Sequence, residues 1–342
     1  MKNTVKKIIA LVMAIAMITV AFAACGGNGT ETTTAANDTT AADTTAADGK
    51  VYTVGICQLV QHDALDAATD GFKKALTDKL GENVKFDEQN ASNEATNCTT
   101  ICGTFVSNKV DLIMANATPA LTAAATATAD IPIVATSVTD FATALDIKDW
   151  KGATGINVTG TADLAPLDEQ ANMIKELCPD AKTVGILYCS AEPNSKYQSD
   201  VITGHLKDLG FEVKEYTFTD SNDISSVTTT AAENCDVLFA PTDNTVANNA
   251  EAIANVLEPA GVPLVAGESG ICKGCGIATL SISYYDIGYK AGEMAYDILV
   301  NGTDPATMDV AYAANPVKMY MADRCTALNI TVPDTYEAIA AE

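Results

Sequence analysis

The sequence predicts an α/β protein with two doubly wound lobes, each built on a parallel β-sheet. Short apolar segments alternate with amphipathic helical segments along the chain, and the whole series occurs twice. Val54-Gly55-Ile56 begins the first series, and Val184-Gly185-Ile186 begins the second. Strands that alternate with helices form parallel sheets with right-handed crossovers. A single long sheet would not explain why the second half restarts in register, so we expect two lobes.

The first half contains four predicted strands separated by helices. After Val54-Gly55-Ile56 the pattern predicts a helix over 64–80, with Leu65, Phe72 and Leu76 on one face. The elements that follow are a strand at 84–87, a helix at 92–108, a strand at 111–115, an alanine-rich helix after Thr118-Pro119 and a strand at 131–134.

The second half repeats this order and then adds a tail. Its first helix, predicted over 198–209, ends at Gly210, which fits a helix C-cap. The later elements are a strand at 212–218, a helix at 224–233, and strands at 236–240 and 262–265. The tail is predicted as a strand at 278–284, an amphipathic helix at 285–299 and a strand at 317–322.

Residues 1–24 have the layout of a secretory signal peptide. Lys2, Lys6 and Lys7 precede an apolar run at 8–20 that is short for a membrane span. The segment Phe22-Ala-Ala-Cys25 resembles a bacterial lipobox, which implies that Cys25 becomes the lipidated first residue of the mature chain. The resemblance therefore implies a protein anchored to the outer face of the cell membrane. An ordinary cleaved signal peptide and a transmembrane helix are the alternatives.

Residues 25–50 are predicted to be a disordered tether. This segment is rich in Thr, Ala, Asp and Gly and has no large apolar side chain to bury. The chain as a whole has 20 Lys and Arg against 44 Asp and Glu, for a net charge of −24. Such a charge repels nucleic acids and anionic lipid headgroups. Because Arg324 is the only arginine, bidentate recognition of a ligand carboxylate or phosphate by arginine is also disfavoured.

The cysteines and histidines do not form a recognisable catalytic or metal site. Cys272 and Cys275 have the spacing of a redox or zinc motif, which leaves free thiols, a local disulfide or a metal or redox site open. Cys57 and Cys189 interrupt apolar segments and are predicted to be small buried hydrophobic residues. His62 and His205 are the only histidines, and no nucleophile elbow, zinc-protease or phosphate-loop motif is present. We therefore expect neither an enzyme nor a cofactor.

Polar clusters follow the predicted strands of both halves. In open α/β sheets, ligands bind outside the carboxyl ends of the strands, so these clusters are candidates for one cleft. Each cluster is also rich in residues that cap helices, which is the alternative interpretation. The candidate ligand-binding residues are Gln58, Gln61, His62, Thr118, Pro119, Thr139, Asn194, Ser195, Asp243, Asn244 and Glu268.

The chemistry of these clusters points to an α-amino acid as the ligand. Helix N-termini at Thr118-Pro119 and near Asn194-Ser195 could hold a carboxylate without arginine. Asp243 and Glu268 could accept hydrogen bonds from an ammonium group. His62 could contact the ligand or simply cap the following helix.

Several of these segments, in this order, resemble the TrpX/TrpY-type substrate-binding proteins of ABC importers over about residues 51–330. The segments are 54–66, 117–120, 132–134, 157–160, 241–245 and 284–286. The resemblance implies a type I periplasmic-binding-protein fold with three linkers, with one lobe at 51–158 plus 284–311 and the other at 159–283 plus 312–342.

The resemblance also implies a monomeric receptor that binds tryptophan or tyrosine in its cleft and works with an ABC permease. The residues that would line the cleft are Gln58, Thr118, Thr139, Asn194, Ser195, Asp243, Asn244 and Glu268. Gln61-His62-Asp63 departs from the Glu-His-Pro more often seen in that family, which leaves the ligand's identity open.

Two other functions fit the same fold. A sugar or nucleoside receptor is one, although sugar sites usually stack the ligand on aromatic rings and the only tryptophan, Trp150, lies in a polar segment. A sensory receptor for a membrane signalling protein is the other.

Overall fold

A computed structural model describes residues 49–340 of the chain. The predicted signal peptide at 1–24 lies outside the described residues. So do Cys25 and all but the last two residues of the predicted tether. Within residues 49–340, none of the helices is long and apolar enough to span a bilayer.

Six strands form the first sheet, and every pairing in it is parallel. They are β1 (Tyr52–Gln58), β2 (Val84–Asn90), β3 (Leu112–Asn116), β4 (Ile133–Val138), β5 (Val158–Ala162) and β11 (Ala311–Tyr312). Their order across the sheet is β11-β5-β4-β3-β1-β2. The central strands β3 and β4 are buried along their whole length, as expected for a parallel sheet covered by helices on both faces.

Five helices belong to this first lobe. They are α1 (Asp63–Leu80), α2 (Ala95–Asn108), α3 (Thr118–Ala127), α4 (Phe141–Ala144) and α11 (Tyr284–Asn301). Helices α1 and α11 pack closely because glycines stand at their contact. A Cβ atom at Gly288 would lie 2.0 Å from the Ala68 carbonyl oxygen, and one at Gly71 would lie 2.1 Å from the Tyr285 carbonyl oxygen. These contacts fix α11, which comes late in the chain, onto the first lobe.

Seven strands form the second sheet, which is parallel except where Ala278–Ser281 pairs with Val317–Tyr320. The strands are β6 (Thr183–Cys189), β7 (Glu212–Phe218), β8 (Val237–Ala240), β9 (Leu264–Ala266), β10 (Ala278–Ser281), β12 (Val317–Tyr320) and β13 (Glu337–Ala338). Their order is β13-β12-β10-β9-β8-β6-β7. The helices of this lobe are α5 (Leu167–Leu177), α6 (Pro193–Asp208), α7 (Ile224–Asn234), α8 (Asn244–Asn248), α9 (Ala250–Ala260), α10 (Ser269–Cys275) and α12 (Ala322–Ala327).

The prediction of two doubly wound parallel-sheet lobes is confirmed, with differences at the element boundaries. The helix predicted from 198 begins at Pro193. The elements not predicted from the sequence are β5, β11, β13, α4, α5, α10 and α12. The strand predicted over 278–284 ends at Ser281, because the Ser283 hydroxyl accepts a hydrogen bond from the Asp286 backbone N–H and begins α11.

The chain crosses between the two sheets three times. It leaves the first sheet after Ala162, returns at Ser283 between β10 and α11, and leaves again after Tyr312. The first sheet therefore extends past the boundaries of 158 and 311 used in the sequence analysis, because Val158–Ala162 pairs with β4 and Ala311–Tyr312 pairs with β5.

The described cysteines are free thiols, and most are buried. Cys57 and Cys189 lie in β1 and β6, with 0% and 2% of their surface exposed, so they act as small hydrophobic residues. Cys272 and Cys275 are buried in α10, where burial raises the pKa of Cys275 to about 12 and also raises the pKa of Cys272. A protonated buried thiol is a poor nucleophile and a poor metal ligand. Burial therefore favours the protonated form of both thiols.

Candidate functional site

Polar side chains from both lobes enclose a small cavity at the carboxyl ends of the strands. The residues that line it are His62, Leu65, Ser137, Thr139, Asp163, Asn194, Thr242, Asp243, Asn244, Ala247, Glu268 and Tyr284. Its volume is about 20 Å³, which is room for about one water molecule. Any larger ligand therefore requires the lobes to move apart.

Six of the candidate residues line this cavity, and five do not. Those that line it are His62, Thr139, Asn194, Asp243, Asn244 and Glu268. Those placed elsewhere are Gln58, Gln61, Thr118, Pro119 and Ser195.

Gln58 is occupied by contacts within its own lobe. Its Nε2 donates to Asp66 Oδ1 at 2.6 Å and to the Val60 carbonyl oxygen at 2.9 Å, while its Oε1 accepts from the Thr69 hydroxyl at 2.6 Å. These bonds join the end of β1 to α1. The neighbouring Gln61 is exposed to solvent. In this structure neither glutamine reaches the cavity.

The other three residues lie near the cavity without lining it. Thr118 is buried at the start of α3, and Pro119 lines a separate cavity of about 520 Å³ between the lobes. Ser195 is fully buried beside Asp243, where its hydroxyl partly offsets the rise in the pKa of that carboxyl group. The N-terminus of α3 is therefore not in contact with the enclosed cavity, unlike that of α6, where Asn194 lies.

Asp243 is a buried carboxyl group held by backbone donors from two elements. Its oxygens accept hydrogen bonds from the Cys189 N–H at 2.7 Å and from the Val246 N–H at 2.8 Å. Burial nevertheless raises the pKa of Asp243 to about 8, and the nearby Glu192 carboxylate adds to the rise. Two hydrogen bonds do not replace the hydration that this carboxylate loses.

Glu268 is the second acidic group and caps the start of α10. It accepts hydrogen bonds from the Gly270 and Ile271 N–H groups. Burial raises the pKa of Glu268, and the proximity of His62 lowers it in part. The other end of α10 is capped by Arg324, which donates to the carbonyl oxygens of Lys273 and Gly274 at 2.7 Å each. The only arginine of the chain thus stabilises the helix that carries Glu268.

Asp163 is a third acidic group, which the sequence analysis missed. It accepts a hydrogen bond from the Tyr284 hydroxyl at 2.9 Å and another from the Thr139 hydroxyl at 3.3 Å. Burial raises the pKa of Asp163 to about 6 despite these bonds. Asp163 directly follows β5, so recognition of that strand would have marked it as a polar residue at a strand end.

Three polar atoms at the cavity have no hydrogen-bond partner: Ser137 Oγ, Asn194 Oδ1 and His62 Nδ1. Ser137 lies where the register between β4 and β5 shifts, and its φ of 56° is in the left-handed region that non-glycine residues rarely adopt. The Asn194 Nδ2 atom donates to the Thr242 carbonyl oxygen and to Glu192, which leaves its Oδ1 without a partner. Buried polar atoms of this kind are normally satisfied, so a water molecule or a ligand atom in the cavity is their natural partner.

The electrostatic character of the cavity follows from its lining. Three carboxyl groups, those of Asp163, Asp243 and Glu268, line it, and none of its lining residues is a lysine or an arginine. Each carboxyl group has a raised pKa because burial penalises its charged form. A cationic group placed among them would stabilise the carboxylates. The arrangement is therefore suited to a ligand with a positively charged hydrogen-bond donor.

The two lobes touch across the cleft beside this cavity. His62 Nε2 lies 3.2 Å from Asn244 Oδ1, the Asn93 amide donates to the Thr245 hydroxyl at 2.9 Å, and Lys273 Nζ lies 3.4 Å from Asp63 Oδ2. In each pair, one residue belongs to the first lobe and the other to the second. These contacts describe a closed form.

Comparisons with known proteins agree with this geometry. The tyrosine-binding protein of Clostridioides difficile (strain R20291) is 39% identical over 253 residues, which are 73% of this chain and 73% of that protein. A Streptococcus pneumonia domain solved in complex with L-Trp is 28% identical, with a TM-score of 0.81 over 85% of this chain and 100% of its own.

A ligand-free, open substrate binding protein of Clostridium difficile is 37% identical, yet its TM-score is 0.66 over 85% of this chain and 100% of its own. The chain is thus closer in shape to the L-Trp complex, although its sequence is closer to the open protein. This difference supports a closed arrangement of the lobes.

A family profile described as ABC transporter substrate binding protein matches residues 53–342. That match includes both sheets, the three crossings and every residue that lines the cavity. The chain therefore belongs to the ABC transporter substrate-binding protein family, whose extracytoplasmic members bind a small-molecule ligand and work with a membrane permease.

Proposed function

We propose that this protein captures a free aromatic amino acid, tyrosine or tryptophan, between its lobes and delivers it to a membrane permease. The observation that carries the proposal is the acidic cavity with unpartnered polar atoms and no lysine or arginine in its lining. A carboxylate-lined cavity selects a cation, and the ammonium group of an amino acid is a cation with three N–H donors.

The ammonium group would lie on the side of the second lobe. Asp243, Glu268 and the unpartnered Asn194 Oδ1 present hydrogen-bond acceptors there. A charge-assisted hydrogen bond contributes about 1.5–3 kcal/mol, so these acceptors would hold the ligand's orientation. The Ser137 hydroxyl, on the first lobe, is available to donate to the ligand carboxylate. A ligand that contacts both lobes favours the closed state.

The aromatic side chain has a route out of the small cavity past His62. His62 and Ala247 also line an outer depression of about 360 Å³, in which Ala250, Gly270 and Gly274 leave space beside the lobe interface. When the lobes move apart to admit a ligand, this depression offers room for a ring beside His62. The names of the two relatives, one a tyrosine-binding protein and one bound to L-Trp, support an aromatic amino acid.

The proposal extends to where the protein is located and to its action as a monomeric receptor. A secretory signal and lipidation at Cys25 would anchor the chain to the outer face of the cell membrane, where a monomer would meet its permease. Two acyl chains give stable anchoring, since each buried methylene contributes about 0.8 kcal/mol. The protein would act as a receptor, since the cavity carries acidic groups suited to holding a cationic ligand.

Isothermal titration calorimetry with matched ligand analogues tests the proposal. The ligands are L-tyrosine, L-tryptophan, tyramine, which lacks the carboxylate, and 3-(4-hydroxyphenyl)propionate, which lacks the ammonium group. We expect binding of at least one of the two amino acids and loss of binding with the propionate. Binding of the propionate as tightly as of L-tyrosine would contradict the acidic ammonium site. Heat only with sugars or nucleosides would contradict the amino-acid assignment.

A further inference from the structure

Two hydrogen bonds that join the lobes end on neighbouring residues of the second lobe. His62 Nε2 meets Asn244 Oδ1 at 3.2 Å, and the Asn93 amide donates to Thr245 Oγ1 at 2.9 Å. Both first-lobe residues lie in loops that follow strands, and Asn93 has a φ of 65°. We call the four side chains of His62, Asn93, Asn244 and Thr245 the clasp.

A single buried carboxylate, Glu192, holds the second-lobe half of the clasp. Its Oε2 accepts hydrogen bonds from the Asn244 backbone N–H at 3.0 Å and from Asn244 Nδ2 at 2.7 Å. Its Oε1 accepts from the Thr245 backbone N–H and from the Thr245 hydroxyl, each at 2.8 Å. Only 4% of the Glu192 surface is exposed. These bonds fix both the backbone and the side chains of Asn244 and Thr245.

These contacts also orient the atoms that meet the first lobe. An ionised carboxylate only accepts hydrogen bonds, so the Asn244 amide must direct its NH₂ group to Glu192 and its oxygen to His62. The imidazole Nε2 must then carry the proton. The Thr245 hydroxyl gives its proton to Glu192, which leaves its lone pairs for the Asn93 amide. One carboxylate therefore sets the donor and acceptor roles on both sides of the clasp.

The position of Glu192 in its own helix supports a role in the clasp. It is the N-cap residue of α6, yet its side chain makes no capping bond to that helix. Its carboxylate is directed to the first two residues of α8 instead, although burial of a charge beside Asp243 is unfavourable. A purely local capping role would place the oxygens at the N–H groups of α6.

We propose that Glu192 is a positioning residue that sets the balance between open and closed lobes by holding Asn244 and Thr245 ready for His62 and Asn93. The inference rests on the proposed receptor function in one respect, which is that closure of the lobes retains the ligand. The clasp consists of side chains of this chain alone, so its contribution to closure can be tested without knowing the ligand. Loss of the Glu192 charge should favour the open form and speed the release of a bound amino acid.

The test measures Glu192→Gln, Asn93→Ala and their double variant, with Glu94→Gln as the matched control. Glu94 is exposed and lines the same cavity of about 520 Å³ as Glu192. Small-angle X-ray scattering gives the radius of gyration of each ligand-free protein. Stopped-flow dilution gives the release rate of L-tyrosine or L-tryptophan. Thermal unfolding separates a change in closure from a loss of folding.

We expect Glu192→Gln to increase the radius of gyration and to speed amino-acid release roughly tenfold, which corresponds to the loss of one charge-assisted hydrogen bond. Asn93→Ala should act in the same direction, and the double variant should add little to Glu192→Gln because Glu192 acts through Thr245. Glu94→Gln should behave as the wild type.

Three outcomes would overturn the inference. The first is a Glu192→Gln variant that melts at a lower temperature but keeps the radius of gyration and the release rate. The second is full additivity of the two substitutions. The third applies if Glu192→Gln does not fold: it is an Asn93→Ala variant whose radius of gyration and release rate are unchanged. If neither amino acid binds the wild type, the proposed ligand fails, and the scattering of the ligand-free variants still decides the inference.

Discussion

The Tyr284 hydroxyl donates a hydrogen bond of 2.9 Å to Asp163, and this bond joins two of the three segments that connect the lobes. Asp163 directly follows β5 and Tyr284 begins α11, so each residue stands at a crossing of the chain. Both are buried, with 5% and 6% of their surfaces exposed. Any opening of the lobes must turn the chain at these crossings, so this pair lies at the hinge and at the ligand cavity together.

Tyr284→Phe should destabilise the protein and loosen the hinge. The substitution removes the donor and leaves the buried Asp163 carboxyl group with the longer bond from Thr139. The loss should be about 1–3 kcal/mol in the free energy of unfolding. Urea denaturation at pH 7 measures it. Tyr285→Phe is the matched control, because Tyr285 is 41% exposed. Equal stability of the two variants would contradict the assigned role of the bond.

The ligand-free protein should lose stability as the pH rises from about 4 to 8. The pKa of Asp243 is about 8 and that of Asp163 about 6 in the folded protein, against a usual value of about 3.9 for aspartate. The folded state therefore binds more protons than the unfolded state across this window, and stability falls as those protons leave.

Asp243→Asn isolates this effect from general charge repulsion, which also grows with pH in a chain with a net charge of −24. The melting temperature of the variant should decline less steeply than that of the wild type between pH 5 and pH 8. Parallel curves for the two proteins would show that Asp243 does not carry a raised pKa.

Binding of L-tyrosine should strengthen with pH over part of the same range. A bound ammonium group favours the deprotonated form of Asp243, so binding releases a proton wherever the free carboxyl group is protonated. The affinity should rise by up to about tenfold per pH unit below pH 8. Asp243→Asn should bind roughly 10–150 times more weakly at pH 8, with a weaker dependence on pH than the wild type. Calorimetry at pH 6 and 8 measures both effects, and a pH-independent wild-type affinity would contradict the account.

Cys25→Ala should release the protein from the membrane. If Cys25 carries the lipid, the wild type should fractionate with membranes and incorporate labelled palmitate, and the variant should do neither. Cys178→Ala is a suitable control, since that thiol belongs to the folded domain. Palmitate incorporation that persists in Cys25→Ala would refute lipidation at this residue.

The sequence predicted the sheets well because the strands of a parallel sheet are continuous apolar runs and the run order repeats. Strand β5 was missed because its sequence, Val-Thr-Gly-Thr-Ala, has few large apolar residues. Asp163, which directly follows this strand, was therefore not recognised as a polar residue at a strand end. Gln58 also lies at a strand end, but its side-chain amide is bonded to Asp66 and Thr69 and does not line the cavity. A strand pattern locates the edge of the sheet, but it does not say whether a polar side chain at that edge meets the cleft or the neighbouring helix.

More of the candidate residues of the second lobe than of the first line the cavity. Asp243 and Glu268 each cap a helix with the same carboxyl group that lines the cavity, so the helix-cap and ligand-site interpretations both apply to them. The role of Glu192 depends on contacts with Asn244 and Thr245, about 50 residues away in sequence, which no local pattern reveals.

A crystal structure of the protein with L-tyrosine tests the central claim most directly. The account predicts the amino acid between the lobes, with its ammonium nitrogen within hydrogen-bond distance of Asp243, Glu268 or Asn194 Oδ1. It also predicts the ring beside His62. L-tyrosine bound outside the cleft, or bound within it with its carboxylate turned toward Asp243 and Glu268, would contradict the account.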